Sequence, residues 1–160
     1  MSEFNPYSDN GGTCVAIAGK NFAIIAADKR HSEGYLINSR TAKRIYVIND
    51  SCILGTTSFY ADGLKFFKDI KAQVLKYQMK TQKDISVQSL AQLASNCLYS
   101  KRFFPYYSFN LICGINDNGE GMVFSYDPVG SFESEKFRAA GTSSSIVQPF
   151  LDSQVNFINT

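Results

Sequence analysis

The stretch NGGTCVAIAGKNFAIIAADKR, Asn10–Arg30, decides the architecture, because it holds two apolar, β-branched runs around one turn. Thr13–Ala18 and Phe22–Asp28 flank Gly19-Lys20-Asn21, so the pair reads as a β-hairpin. Neither run alternates polar with apolar. AIIAA, and CILG further on, are near-continuous hydrophobic segments, which predicts strands covered on both faces. Further short strands follow at Tyr35–Asn38, Arg44–Ile48 and Cys52–Thr57, with Asn49-Asp50-Ser51 turning between the last two.

The pattern then changes to a helical period. Between Ala61 and Lys80, Leu64, Phe67, Ile70, Val74 and Tyr77 form one helical stripe opposite a lysine-rich face. A second helix spans Ser86 to Ser100, with Ser86 as its N-cap and Val87, Leu90, Leu93, Ala94, Cys97 and Leu98 facing inward. Pro105 ends the helical register. Tyr107–Ile115 and Met122–Tyr126 form a second hairpin around Asn116–Gly121. A strand at Phe137–Ala140 precedes a third helix over Ser145–Phe157, with Pro149 near its start. Strands, two helices, strands and the opening of another helix make an α+β chain, one domain over residues 1–160, with residues 1–12 as an arm. The last helix leaves one sheet face short of cover, so further helices and strands are expected beyond Thr160. Without them, exposed sheet surface should favour association.

Composition narrows the function classes. The 160 residues are 44% hydrophobic and 19% charged, with 13 Phe, 9 Tyr and no Trp. Sixteen basic against fourteen acidic residues leave +2, too weak a field for a nucleic-acid or membrane-surface partner. No apolar run approaches a membrane span. Cys14, Cys52, Cys97 and Cys113 are widely spaced in apolar surroundings, which predicts core thiols without disulfide or metal roles. No phosphate-cradling glycine motif is present, and no cofactor is expected. His31 lies in a polar loop and reads as solvent-facing.

Three segments together carry a resemblance: Asn10–Arg30, KRFFPYY at Lys101–Tyr107, and FSYDPVGSFE at Phe124–Glu133, echoed by Asp152–Phe157. They resemble the beta-type subunits of the eukaryotic proteasome core particle, and most of all the non-catalytic beta-6 class, over essentially the whole chain. That resemblance implies the N-terminal nucleophile hydrolase fold, a four-layer αββα sandwich whose C-terminal helices and strands would be missing here. It also implies other beta and alpha subunits as partners in stacked rings, peptide substrate met only as part of a neighbour's pocket, and residence in cytoplasm and nucleus.

Active members of that family use an N-terminal Thr whose own amine accepts the proton of its hydroxyl. Counting from Asp28, which matches the family's site Asp, the nucleophile's place falls on Gly12, which has no hydroxyl. The family's site Lys corresponds to Arg44, and the Gly that donates the oxyanion-hole N–H corresponds to Ser58. Arg stays protonated and planar, so it does not replace Lys freely in a tight site. The resemblance therefore implies a degenerate site of Gly12, Asp28, Arg44 and Ser58, with Gly141-Thr142-Ser143 loosely retained and no catalytic residue. The competing reading is a threonine peptidase using Thr13 after cleavage at Gly12, although strand alternation turns that side chain to the other face. Read without the family, Asp28 is a strand-end carboxylate paired with a nearby cation. Phe103, Phe104, Tyr106 and Tyr107, with Tyr126 and Asp127 of the second segment, are candidates for contact with other chains, core packing being the alternative.

Overall fold

Three separate hydrophobic clusters order the chain into four layers, and the computed structural model describes residues 4–155. The element order is β1 (Thr13–Ala18), β2 (Ala23–Ala27), β3 (His31–Glu33), β4 (Leu36–Ser39), β5 (Ile45–Asn49), β6 (Cys52–Ser58), α1 (Tyr60–Thr81) and α2 (Val87–Tyr99). Then come β7 (Ser108–Ile115), β8 (Gly121–Tyr126), β9 (Phe132–Glu135), β10 (Phe137–Gly141) and α3 (Ser144–Gln154). A three-stranded sheet has the order β10-β1-β2, and a five-stranded sheet runs β5 to β9 in sequence. Every pairing is antiparallel.

The outermost cluster joins α1 and α2 to the five-stranded sheet through Phe66, Ile70, Leu90, Leu98, Leu54 and Ile112. Cys14, Ala16 and Ala18 of β1 meet Leu111, Cys113 and Val123 between the two sheets. Ala139, Leu151 and Val155, with Val15, Ile17 and Phe137 against them, join the smaller sheet to α3. The layers therefore run helices, sheet, sheet, helix. Small residues on β1 let the sheets approach closely, and strand alternation sends Val15 and Ile17 the opposite way, toward α3.

Two expectations need correction. The AIIAA strand is not covered on both faces: Ile24 is 57% exposed, because the cluster beneath α3 draws on β10 and β1 and includes no residue of β2, which leaves part of one sheet face without cover among the described residues. The buried stripe of α1 is Gly63, Phe66, Ile70 and Val74, so it is Phe66 that is fully buried. Phe67 is partly buried and stacks on Tyr46 at 4.3 Å. Ser86 caps α2, its hydroxyl accepting the Ser89 N–H at 3.2 Å. The third helix ends at Gln154, and Phe157 lies outside the described residues.

The cysteines divide by burial. Cys14, Cys52 and Cys113 are buried and Cys97 is half-buried, none in a disulfide. Burial pushes the Cys14 and Cys52 thiols up to about 12 and that of Cys113 to about 11. The thiolate is the reactive form, so a disulfide-exchange reagent at pH 8 is expected to modify Cys97 first and the other three only on unfolding. Native-state labelling of Cys14, Cys52 or Cys113 at the rate of Cys97, read by peptide mass mapping, would contradict this packing.

Candidate functional site

Residues Asn10–Gly12 lead into β1 through two glycines at positive φ, +66° and +97°, and their three consecutive carbonyls are all hydrogen-bonded. The Asn10 carbonyl accepts the Ser32 N–H and one Arg44 N–H, each at 3.3 Å. The Gly11 carbonyl accepts the Ser58 N–H at 3.3 Å, and the Gly12 carbonyl accepts the Thr142 N–H at 3.0 Å. The Asn10 side chain, 5% exposed, donates to the Ser32 carbonyl at 3.2 Å and accepts the Tyr60 N–H at 3.0 Å. Tyr60 opens α1, whose preceding residue Phe59 has no capping side chain, so Asn10 takes one of the helix's unpaired N–H groups.

Arg44 sits at the centre of this arrangement and is 2% exposed. Its Nη2 donates to the Arg30 carbonyl at 2.7 Å as well as to Asn10. Its Nε lies 3.4 Å from Asp28 Oδ1, an ion pair without hydrogen-bond alignment. The same Asp28 oxygen accepts the Thr13 N–H at 2.9 Å. Asp28 is 42% exposed, so solvent screens the pair and its net contribution is modest. The guanidinium fills the space beside Gly12: a side-chain carbon at that position would lie 2.1 Å from Arg44 Cζ. Gly12 also has φ +97°, a conformation that a side chain disfavours.

Thr13 projects elsewhere. Its Oγ1 accepts the Ser143 N–H at 3.1 Å, and its nitrogen is the amide that joins it to Gly12. Ser58 holds a left-handed backbone, φ 71°, with its N–H engaged by the Gly11 carbonyl. The structure thus brings Gly12, Thr13, Asp28, Arg44, Ser58 and Gly141–Ser143 together. Gly12 carries no side chain that could act as a nucleophile, and the Ser58 and Thr142 N–H groups are bonded to the Gly11 and Gly12 carbonyls. Neither grouping of His, Cys, Asp and Glu suited to a metal ion nor a helix long and apolar enough to cross a membrane occurs among the described residues.

Asn10 is the site residue that sequence reading missed; its only signal is its place before Gly-Gly, where turn chemistry is common. His31 is half-buried and stacks on Tyr60 at 4.8 Å, which corrects its reading as a solvent-facing residue. The contact candidates also separate. Tyr106 and Tyr126 are core residues, 4% and 5% exposed, their hydroxyls donating to Asp69 and to the Ala91 carbonyl. Burial, with the Asp69 hydrogen bond added for Tyr106, raises both phenols above their ordinary value. Both therefore leave the set of surface candidates. Asp127 accepts the N–H groups of Val129 and Ser131 at 3.1 and 2.8 Å and so holds its own turn. Phe103, Phe104 and Tyr107 remain at the surface, 93%, 65% and 43% exposed.

Comparison with known proteins gives concordant matches. The proteasome subunit family profile matches residues 8–159. Proteasome subunit beta type-1 of Danio rerio is 43% identical over 157 residues, covering 98% of this chain and 66% of its own length. Proteasome subunit beta type-1 of Arabidopsis thaliana is 46% identical over 154 residues, 96% of this chain and 69% of its own length. Proteasome subunit beta type-6 of Saccharomyces cerevisiae is 44% identical over 158 residues, 98% and 66% respectively. The chain thus spans about two thirds of the length of the curated relatives it matches.

Proposed function

The chain belongs to the proteasome subunit family, with the N-terminal nucleophile hydrolase fold, and we propose that it serves as a non-catalytic beta-type subunit of the core particle. Its role in this reading is structural. It completes a ring of related chains, stacks on alpha subunits and walls part of a neighbour's peptide pocket, supporting ATP-dependent ubiquitin–proteasome degradation in cytoplasm and nucleus. Head-to-tail rings close only when every wedge is present, so a subunit without chemistry is still required. The exposed Phe103, Phe104 and Tyr107 suit contact with another chain, since aromatic residues are favoured at interfaces.

One observation carries the non-catalytic half of the proposal: the Arg44 guanidinium stands where a side chain at position 12 would be. A Thr nucleophile needs its hydroxyl, its free amine and a nearby Lys in one place. Here position 12 is Gly, and the neighbouring cation is a buried Arg fixed to two backbone carbonyls. The competing reading draws on the 2.9 Å contact of the Thr13 nitrogen with Asp28, which cleavage at Gly12 would turn into an amine–carboxylate contact.

Thr13→Ala separates the two. In the assembled particle it is expected to leave every peptidase activity unchanged, and the mature protein is expected to retain residues before Thr13 by mass. Selective loss of one activity with normal assembly would establish Thr13 as a nucleophile and end the structural reading.

A further inference from the structure

We propose that Arg44 moors the N-terminal arm, and that the moored arm sets the pose of the Phe103–Tyr107 loop, which exposes Phe103, Phe104 and Tyr107; the loop's use in docking rests on the assembly reading above. The arm is held most firmly toward its two ends, with the exposed Ser8 hydroxyl donating to Glu33 at 3.3 Å between them. At one end Arg44 Nη2 bridges the carbonyls of Asn10 and Arg30, and the buried Asn10 side chain ties the same residue to Ser32 and Tyr60. Asp9 steadies the turn between, its Oδ1 accepting the Gly11 N–H at 2.9 Å.

At the other end Tyr7 grips the aromatic loop. Its hydroxyl donates to the Pro105 carbonyl at 2.8 Å. Its ring stacks on Phe104 at 5.6 Å, lies 5.5 Å from the Tyr107 ring and meets Phe59 edge-on at 6.2 Å. The loop is also tied below, where the Tyr107 N–H donates to Asp62 at 2.8 Å and its carbonyl accepts the Phe59 N–H at 3.1 Å. Phe104, still 65% exposed, therefore has Tyr7 as the neighbour that fixes its ring plane. Only Ser8 and Asp9 lie between Tyr7 and Asn10, too few to flex independently once both ends are held. A planar guanidinium reaches two carbonyls with fixed geometry, which suits Arg44 to the role of an anchor.

Hydrogen–deuterium exchange of the full chain tests the coupling. Arg44→Met removes a charged donor from the arm, and exchange is expected to rise about tenfold both at Ser32 and Ser58 and across Phe103–Tyr107. Tyr7→Ala is expected to free the loop while Ser32 and Ser58 stay protected. Arg44→Lys, which keeps the charge without the planar fork, is expected to leave the loop freed. Loop exchange that is unchanged in Arg44→Met, or unchanged in Tyr7→Ala, overturns the proposal, as does wild-type protection in Arg44→Lys. Tyr7→Ala leaves Arg44 in place and tests the step from arm to loop, and where Arg44→Met unfolds, Arg44→Lys tests the mooring step. Incorporation into particles is a separate readout: a freed loop with normal incorporation leaves the strap standing and ends the loop's docking role.

Discussion

Replacing Gly12 by Thr is expected to destabilise the protein by about 3 kcal/mol or more and to generate no peptidase activity. Two costs add. A β-branched residue at φ +97° carries backbone strain of about 1–3 kcal/mol. The first side-chain carbon would also fall 2.1 Å from Arg44 Cζ and 2.4 Å from its Nε, so the guanidinium must move. Once moved it gives up its hydrogen bonds to the carbonyls of Asn10 and Arg30, and a hydrogen bond made by a charged group contributes about 1.5–3 kcal/mol. The new hydroxyl would gain no amine, since residue 12 would remain bonded to Gly11. The urea midpoint should fall steeply at constant slope. Combining the change with Arg44→Met should recover part of the loss, because the collision partner is gone; strict additivity of the two changes would mean that they do not meet. A Gly12→Thr variant within about 0.5 kcal/mol of the parent, the range of ordinary surface substitutions, would show that the guanidinium does not fill that space.

Much of the architecture was legible because the hydrophobic period switches cleanly. The hairpins, both long helices and the Ser86 cap follow from local rules that the tertiary structure does not override. What escaped reading has physical causes. β3 is only His31–Glu33, a polar three-residue strand with no apolar signature. β9 reads FESE, and it pairs with β8 as the last strand of its sheet without a buried face that would mark it in sequence. The cover over AIIAA escapes reading because a continuous apolar run does not show whether a helix lies over that part of the sheet. Leu64 and Phe67 share a helical stripe as plausibly as Gly63 and Phe66 do; the packing of Phe66 against Tyr106 at 5.8 Å chooses between them.

The site was legible by position and not by contact. Counting from Asp28 put Gly12, Arg44 and Ser58 in one neighbourhood, yet spacing says nothing of which way a guanidinium turns. That Arg44 lies over Gly12 and grips the arm depends on Asn10, whose buried side chain touches β3 and α1, elements 22 and 50 residues away. Contacts over such separations leave no local pattern. The same limit explains Tyr106 and Tyr126. Their aromatic neighbourhoods suggested a surface, but each hydroxyl has a partner inside, on Asp69 and on the Ala91 carbonyl, which is how a phenol tolerates burial.

The adjacent pair Phe66 and Phe67 gives the register of α1 a direct test, and through it the support beneath the arm and loop. Phe66→Ala is expected to cost about 3–5 kcal/mol, the usual range for emptying a fully buried aromatic site. Against a domain stability of about 5–15 kcal/mol that is a third or more of the margin in most cases. Phe67→Ala should cost clearly less, about 1–2 kcal/mol, because that ring is only partly buried and loses chiefly its stack on Tyr46. Denaturant titration of the two variants orders them, and a larger loss at Phe67 would rotate the helix by one residue and undo the packing described above. The consequence reaches the surface. α1 supplies the Tyr60 N–H that holds Asn10 and the Asp62 carboxylate that holds Tyr107. A cavity under Phe66 therefore loosens the element on which both ends of the arm depend, and Phe66→Ala should raise exchange at Ser32 and at Phe103–Tyr107 together, while Phe67→Ala leaves both near the parent's rate.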